Sequence, residues 1–328
     1  MAFPFRTEFI INKQYPRFGH IHPTFLIGSC FSDNIGSKLN EFLFKVDSNP
    51  FGITYNPISA SDHLKRLMQK QYFTSDDLIE CNGGWNSLEL HGSWFDSDSD
   101  QLLSRVNNRL EGASVNLKEA SHLFVTFGTA WVYEWKNNGL VVNNCLKLPA
   151  SNFNKRLLGI DEITQVWTKT IDALLEFNPG LSIVFTVSPV RHLRDGFEEN
   201  YLSKSILRIA IHEIEQEMKV LYFPAFELLS DDLRDYRFYN TDLVHPSETA
   251  IEYIWDKFSS CMITESSLQL FKDITGINQA INHRAFDKDS EQYKSFIEKN
   301  IRLAQKLKDE HAVPLAKNAM QNLRKKLR

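Results

Sequence analysis

Two short stretches hold the residue types that perform acyl chemistry. The first, Thr24–Gly36, is an apolar run that breaks at Gly28 into three small nucleophiles, Ser29, Cys30 and Ser32. Apolar spacing then resumes at Ile35, Leu39, Phe42 and Leu43, which predicts a strand, a tight turn and a helix whose first free amides Ser32 or Asp33 can accept. The free N–H groups of a helix start favour anions, so a thiol placed there has its thiolate stabilised. A small buried packing residue is the alternative account of Cys30. The second stretch runs from Tyr239 to Glu248 and sets Asp242 three residues before His245, which Pro246 follows. Proline suits the first position of a helix, and the dipole at that end disfavours a charged imidazole, leaving a usable base. Asp242 is close enough in a tight turn to accept from the other ring nitrogen and fix the tautomer, the orienting role in a catalytic triad. A helix-capping aspartate beside a surface histidine gives the same spacing. The pairing of a nucleophile at the first strand end with an Asp-x-x-His before the last core helix favours chemistry.

The elements needed to bring these stretches together alternate along the chain. Residues 1–23 read as an extended arm interrupted by Pro4, Pro16 and Pro23, with His20 and His22 as surface histidines. After the first helix, Asn49–Pro57 is turn-rich, and Gly52 and Asn56 can offer amides to a ligand or simply make the turns. A helix through Leu64, Leu67 and Met68 follows; Asp96–Asp100 then caps a helix carrying Leu102, Leu103 and Val106. His122–Gly128 is a second strand end, with Thr129 after it, and Asn137–Gly139 predicts a hairpin joining 131–135 to 140–142 on the main sheet. A helix near 161–177, a strand at 181–188, a helix near 198–218 and a strand at 220–223 complete the alternation, which supports a parallel sheet with right-handed crossovers. Arg191, His192 and Arg194, just beyond a central strand, can bind an anionic group or be solvated loop residues.

Composition narrows the partners. A net charge of −4 and a pI near 6.2 argue against nucleic acid or an anionic membrane. A small molecule or a saccharide ester is the expected substrate. Cys30, Cys81, Cys145 and Cys261 are scattered without metal-ligand spacing, so neither a zinc site nor a disulfide framework is indicated, and reduced thiols fit a cytoplasmic protein. No metal or organic cofactor is required. Tyr293, Phe296, Ile297, Ile301, Leu303 and Leu307 predict a long C-terminal helix ending in the basic Leu323–Arg328, an appendage to the main domain or the contact of a homo-oligomer.

Gly28–Ser32, Asn34–Gly36, Asn49–Gly52, Tyr55–Pro57, Gly128–Tyr133, Ser188–His192 and the segment from Leu233 to Ser247 together resemble the GSCFA-domain family, across roughly residues 20 to 260. That family is similar to the SGNH (GDSL-type) hydrolases, which implies a flavodoxin-like three-layer α/β/α sandwich with a mainly parallel central sheet. The expected organisation is an α/β domain over 1–262 and a helical extension over 263–328. The resemblance puts Cys30 at the nucleophile position, Ser29 at the preceding aspartate, Asp242 and His245 at the terminal Asp-x-x-His, and Gly52 at a block whose amide helps bind an oxyanion. The Gly-x-Asn block falls on Gly128-Thr129-Ala130, so its asparagine donor is missing, and Asn34, Asn56 or Thr129 stands in for it or activity is weak. The implied activity is hydrolysis of an ester, or transfer of its acyl group to a carbohydrate; a non-catalytic binding protein that keeps the cleft is the alternative.

Overall fold

The computed structural model describes residues 7–287 and 290–327. Its centre is a five-stranded, fully parallel sheet. The first strand, β1 (Thr24–Gly28), leads into α1 (Cys30–Glu41), and β2 (Val46–Ser48) returns beside β1. Then come α2 (Pro57–Gln69), the small hairpin β3 (Ile79–Cys81) with β4 (Gly84–Asn86), and α3 (Ser99–Glu119), whose N-cap Asp98 accepts from the Asp100 and Gln101 amides. The sheet resumes at β5 (His122–Phe127). It is followed by β6 (Trp131–Trp135), β7 (Phe153–Leu157), α4 (Ile160–Phe177), β8 (Ser182–Val187), α5 (Phe197–Glu217) and β9 (Leu221–Tyr222). A short helical stretch, α6 (Ala225–Glu227), precedes α7 (Glu248–Met262), and α8 (Glu265–Leu268) closes the α/β part. The sheet order is β2-β1-β5-β8-β9. Counting only the strands of this sheet, that is 2-1-3-4-5, the doubly wound flavodoxin-like order.

Side chains alternate across the strands and build two cores. Phe25, Ile27, Val125, Phe127, Phe185 and Val187 point into one, with Trp167 of α4 and Leu207 of α5; Leu26, Phe124 and Val184 point into the other, with Phe31 of α1 and Phe258 of α7. Both faces are therefore covered. This is why the strands read as unbroken apolar runs rather than alternating ones.

Two local expectations are corrected. The partner of β6 is β7, in antiparallel register from Trp131↔Leu157 to Trp135↔Phe153, and this pair stands as its own two-stranded sheet; the 140–142 segment makes only a bridge from Val141 to Glu134. The turn at Asn137–Gly139 does bring 140–142 back beside β6, where Trp135 N donates to Leu140 O at 2.8 Å and Val142 N to Tyr133 O at 2.9 Å; β7 takes the other edge of β6, with Trp135 packed on Phe153 at 5.0 Å between ring centroids. His20 is buried, not a surface residue: its Nδ1 meets Ser267 Oγ, its Nε2 meets Phe42 O, and burial pushes its pKa down to about 4. In the N-terminal arm, Pro4 lies outside the described residues.

The C-terminal helices α9 (Phe271–Asn282), α10 (Glu291–Glu310) and α11 (Ala316–Lys325) pack on one another around Ile274, Ile277, Ile297, Leu307 and Leu323. The apolar stripe of α10 thus faces inside this bundle. The bundle meets the α/β part at the end of α1: the Phe42 ring stacks on Phe271 at 3.9 Å and on Trp255 at 5.7 Å, and Asn278 Nδ2 donates to Glu41 O at 2.7 Å. Among the described residues no helix is long and apolar enough to cross a membrane.

Candidate active site

The cleft opens at the carboxyl ends of β1, β5 and β8, where an open α/β sheet presents ligands to loops and helix starts. The turn out of β1 is unusually tight. Gly28 has φ +138°, and a Cβ there would lie 2.1 Å from Thr126 O of the neighbouring strand. The next residue, Ser29, is the N-cap of α1, its Oγ accepting from Phe31 N at 3.2 Å, so neither Ser32 nor Asp33 takes that role. Cys30 is consequently the first helical residue. Its N–H is not donated to another residue among those described.

Cys30, Asn56, Thr129, Arg191, His192 and His245 line one cleft of about 880 Å³. The β6–β7 hairpin forms a wall of it through Trp131, Tyr133 and Phe153. Ser29 and Ser32, unlike Cys30, do not line it. Both are buried, Ser29 by its capping bond and Ser32 with its hydroxyl donated to Thr126 Oγ1 at 2.8 Å.

His245 and Asp242 are coupled in a tight turn. Asp242 Oδ1 accepts from the Val244 and His245 amides at 2.9 and 3.0 Å, and Oδ2 lies 2.7 Å from His245 Nδ1. The His245 amide, then its ring, then the Val244 amide hold the Asp242 carboxyl down to about 2. An ionised carboxylate can only accept, so the imidazole proton sits on Nδ1 and Nε2 carries the lone pair. The sequence reading put Pro246 at the first helical position; instead Ser247 caps α7 and Glu248 begins it, with Pro246 bridged to Tyr239.

The thiol differs from expectation. Burial, reinforced by the nearby Asp33 charge, pushes the Cys30 thiol up, although its own amide, the Phe31 amide and Lys204 pull the other way. A helix start alone does not make a resting thiolate here.

Several expected oxyanion donors are already committed. The Gly52 N–H closes a turn onto Asn49 O at 2.8 Å, and Gly52 packs against His91, outside the cleft. The Gly128 and Thr129 amides both donate to Tyr55 O, at 2.8 and 3.0 Å, and Thr129 Oγ1 pairs with Ser203 Oγ. Asn34 sits further along α1 and does not line the cleft. Asn56 lines it but caps α2, accepting from Ser59 N at 2.9 Å and donating to Ser59 Oγ. Gly52 and Asn56 are thus held by the local turn and cap that their spacing allows, whereas the Gly128 and Thr129 amides are taken by a carbonyl distant in the chain.

Among the described residues, two buried polar side-chain atoms on the cleft have no partner. His192 Nε2 is buried and unpaired, 3.2 Å from where a Cβ on Gly128 would stand, and Asn143 Oδ1 is unpaired while its Nδ2 donates to Ile53 O. Burial, then Lys204, then His245 push His192 down to about 3, so it is a neutral ring. Arg191 stacks on Tyr239 at 3.9 Å and so presents the edge of its guanidinium.

Lys204 was not foreseen. It is fully buried on α5, and Nζ donates to Gly128 O at 2.7 Å and Ser188 O at 2.8 Å, joining the ends of β5 and β8 beneath the cleft. Burial pushes its pKa down to about 7. The signal was present in the pattern Asn200, Ser203, Lys204, Leu207, which puts a lysine on the buried stripe. Asn143 had no comparable signal.

The family model of the GSCFA family matches residues 23–258, well over half of the chain. The chain belongs to the GSCFA family. A second model, the C-terminal domain of GSCFA domain proteins, matches residues 274–328, the stretch that contains most of the three-helix bundle. No curated protein sequence matches this GSCFA chain. Among solved structures, it is similar to an acetyl xylan esterase (Est2A) from the rumen bacterium Butyrivibrio proteoclasticus, at 10% identity and a TM-score of 0.37. That similarity covers 73% of this chain and 64% of the esterase, so the chain spans less than two thirds of that protein.

Proposed function

We propose that this protein cleaves or transfers an acyl group through a cysteine acyl-enzyme. The observation that carries the reading is the His245–Asp242 couple, at 2.7 Å, on the same cleft as Cys30. His245 Nε2 takes the thiol proton as sulfur adds to the ester carbonyl, and the Cys30 N–H faces the oxygen that becomes negative. Collapse breaks the bond to the alkoxide, which leaves with that proton as an alcohol. Water, or the hydroxyl of a carbohydrate acceptor, then attacks the thioester; His245 removes its proton and returns it to the sulfur. Water makes the protein an esterase and the acceptor an O-acyltransferase with the same residues. Four unpaired thiols suit a reducing, cytoplasmic setting.

A second reading, a ligand-binding protein that keeps the cleft, is favoured by the raised thiol and by the committed amides of Gly52, Gly128 and Thr129. Turnover of 4-nitrophenyl acetate and of an acetyl thioester by wild type, Cys30→Ala and His245→Ala separates the two. Loss of at least about a hundredfold in both variants supports the enzyme. Wild-type rates equal to those of Cys30→Ala leave the binding protein.

A further inference from the structure

The charge lining the cleft is strongly one-sided. Lys147, Arg191 and Arg194 line it, and among the described residues none of the three has a carboxylate partner. The one acid that lines it, Asp195, is already paired with Lys155. Two acids stand near the cleft without lining it and offset part of that charge: Asp242, hydrogen-bonded to His245, and Asp33, which accepts from Asn49 Nδ2 at 2.7 Å. His192 adds no charge because it is neutral, and Lys204 beneath adds positive charge when protonated. A protein of net charge −4 therefore carries a local cationic cleft, a field that concentrates anions. An independent feature lies on the same wall. Asn143 is 8% exposed, its amide is oriented by donation to Ile53 O, and its Oδ1 has no donor. A buried acceptor without a partner costs on the order of 1–3 kcal/mol unless something in the cleft donates to it.

We propose that the cleft binds an anionic substrate, bearing a carboxylate or phosphate together with a hydroxyl or N–H, with Lys147, Arg191 and Arg194 around the anion and Asn143 Oδ1 accepting the hydrogen bond. As a statement of substrate class it rests on the acyl-transfer reading above; as a statement of binding it is tested without turnover.

Cys30 is the reporter. Iodoacetate and iodoacetamide are nearly isosteric and differ in charge, so the ratio of their site-resolved alkylation rates at Cys30, divided by the same ratio at Cys261 outside the cleft, measures local attraction of an anion. At about 10 mM salt, where the screening length is about 30 Å, the quotient is expected to be about tenfold. It should fall towards unity at about 1 M salt and in the double variant Lys147→Gln/Arg194→Gln. A quotient of unity at low salt overturns the proposal. Protection of Cys30 from iodoacetamide by glucuronate, by glucose 6-phosphate and by glucose, at equal ionic strength, then separates carboxylate from phosphate. Protection by either anion and not by glucose supports the proposal; equal protection by glucose, or by none of the three, overturns it. Asn143→Ala should weaken sugar protection about tenfold, and unchanged protection would remove that contact. A raised quotient with no ester turnover would refute the chemistry and leave the anion site; turnover with a quotient of unity would do the reverse.

Discussion

Replacing Lys204 by methionine removes a buried amine that holds two strand ends together. Its Nζ donates to Gly128 O and Ser188 O, and no carboxylate neutralises it. A neutral amine still has two hydrogens, one for each carbonyl, so deprotonation leaves both bonds intact. Burial pushes the pKa from 10.5 to about 7. The unfolded chain keeps the proton up to about pH 10.5, so between about pH 7 and 10.5 unfolding takes up a proton and rising pH stabilises the fold. The gain is about 1.4 kcal/mol per pH unit, roughly 4 kcal/mol over three units, and it is absent below about pH 7, where both states are charged. The methionine variant lacks this slope and leaves two buried carbonyls without donors, about 1–3 kcal/mol each. Its deficit against wild type should therefore widen from about pH 6.5 to 9.5 by several kcal/mol. Urea unfolding of both proteins across that range, followed by tryptophan fluorescence, measures the difference while common titrations cancel. A deficit constant to within about 1 kcal/mol would mean that Lys204 stays an ammonium in the folded protein, and the argument from burial would fail.

The remaining predictions concern the cleft and the turn that supports it. With the thiol raised by burial and Asp33, Cys30 should level off in alkylation rate at higher pH than a free thiol of pKa about 8.5 does; a plateau near pH 7 would contradict this. His245→Ala should lower Cys30 labelling near neutral pH and leave Cys81 and Cys261 unchanged, read by peptide mass spectrometry. Asp242→Asn should cost the aryl-ester rate at least about a hundredfold while leaving the unfolding midpoint nearly unchanged, because the pair is half exposed. Gly28→Ala should destabilise by about 3 kcal/mol or more, since the new Cβ would overlap Thr126 O; normal urea stability would show that β1 and β5 can part.

Much of the layout is legible in local pattern. The buried strands β1, β5 and β8, of 5, 6 and 6 residues, separated by amphipathic helices, made a parallel sheet readable, and Asp242 and His245 are readable because one turn holds the whole contact. What was not legible depends on residues far apart in the chain. Tyr55 O takes the Gly128 and Thr129 amides across more than seventy positions, Asn49 reaches back to Gly28, and Lys204 reaches forward strands that precede it. Turn chemistry at Asn137–Gly139 marked the short return of 140–142 beside β6, whereas the pairing of β6 with β7, packed through Trp135 and Tyr133 on Phe153, had no local signal. Local rules find the groups; tertiary bonds decide which of them remain free.

The first helix belongs to two bodies at once. Cys30 stands at its start, and at its far end Glu41 O accepts from Asn278 while Phe42 packs on both Trp255 and Phe271. Twelve residues at about 1.5 Å each make a rod of roughly 18 Å, and an α-helix of that length transmits a tilt without bending. The bundle therefore grips, from the opposite end, the same rigid element that carries the sulfur.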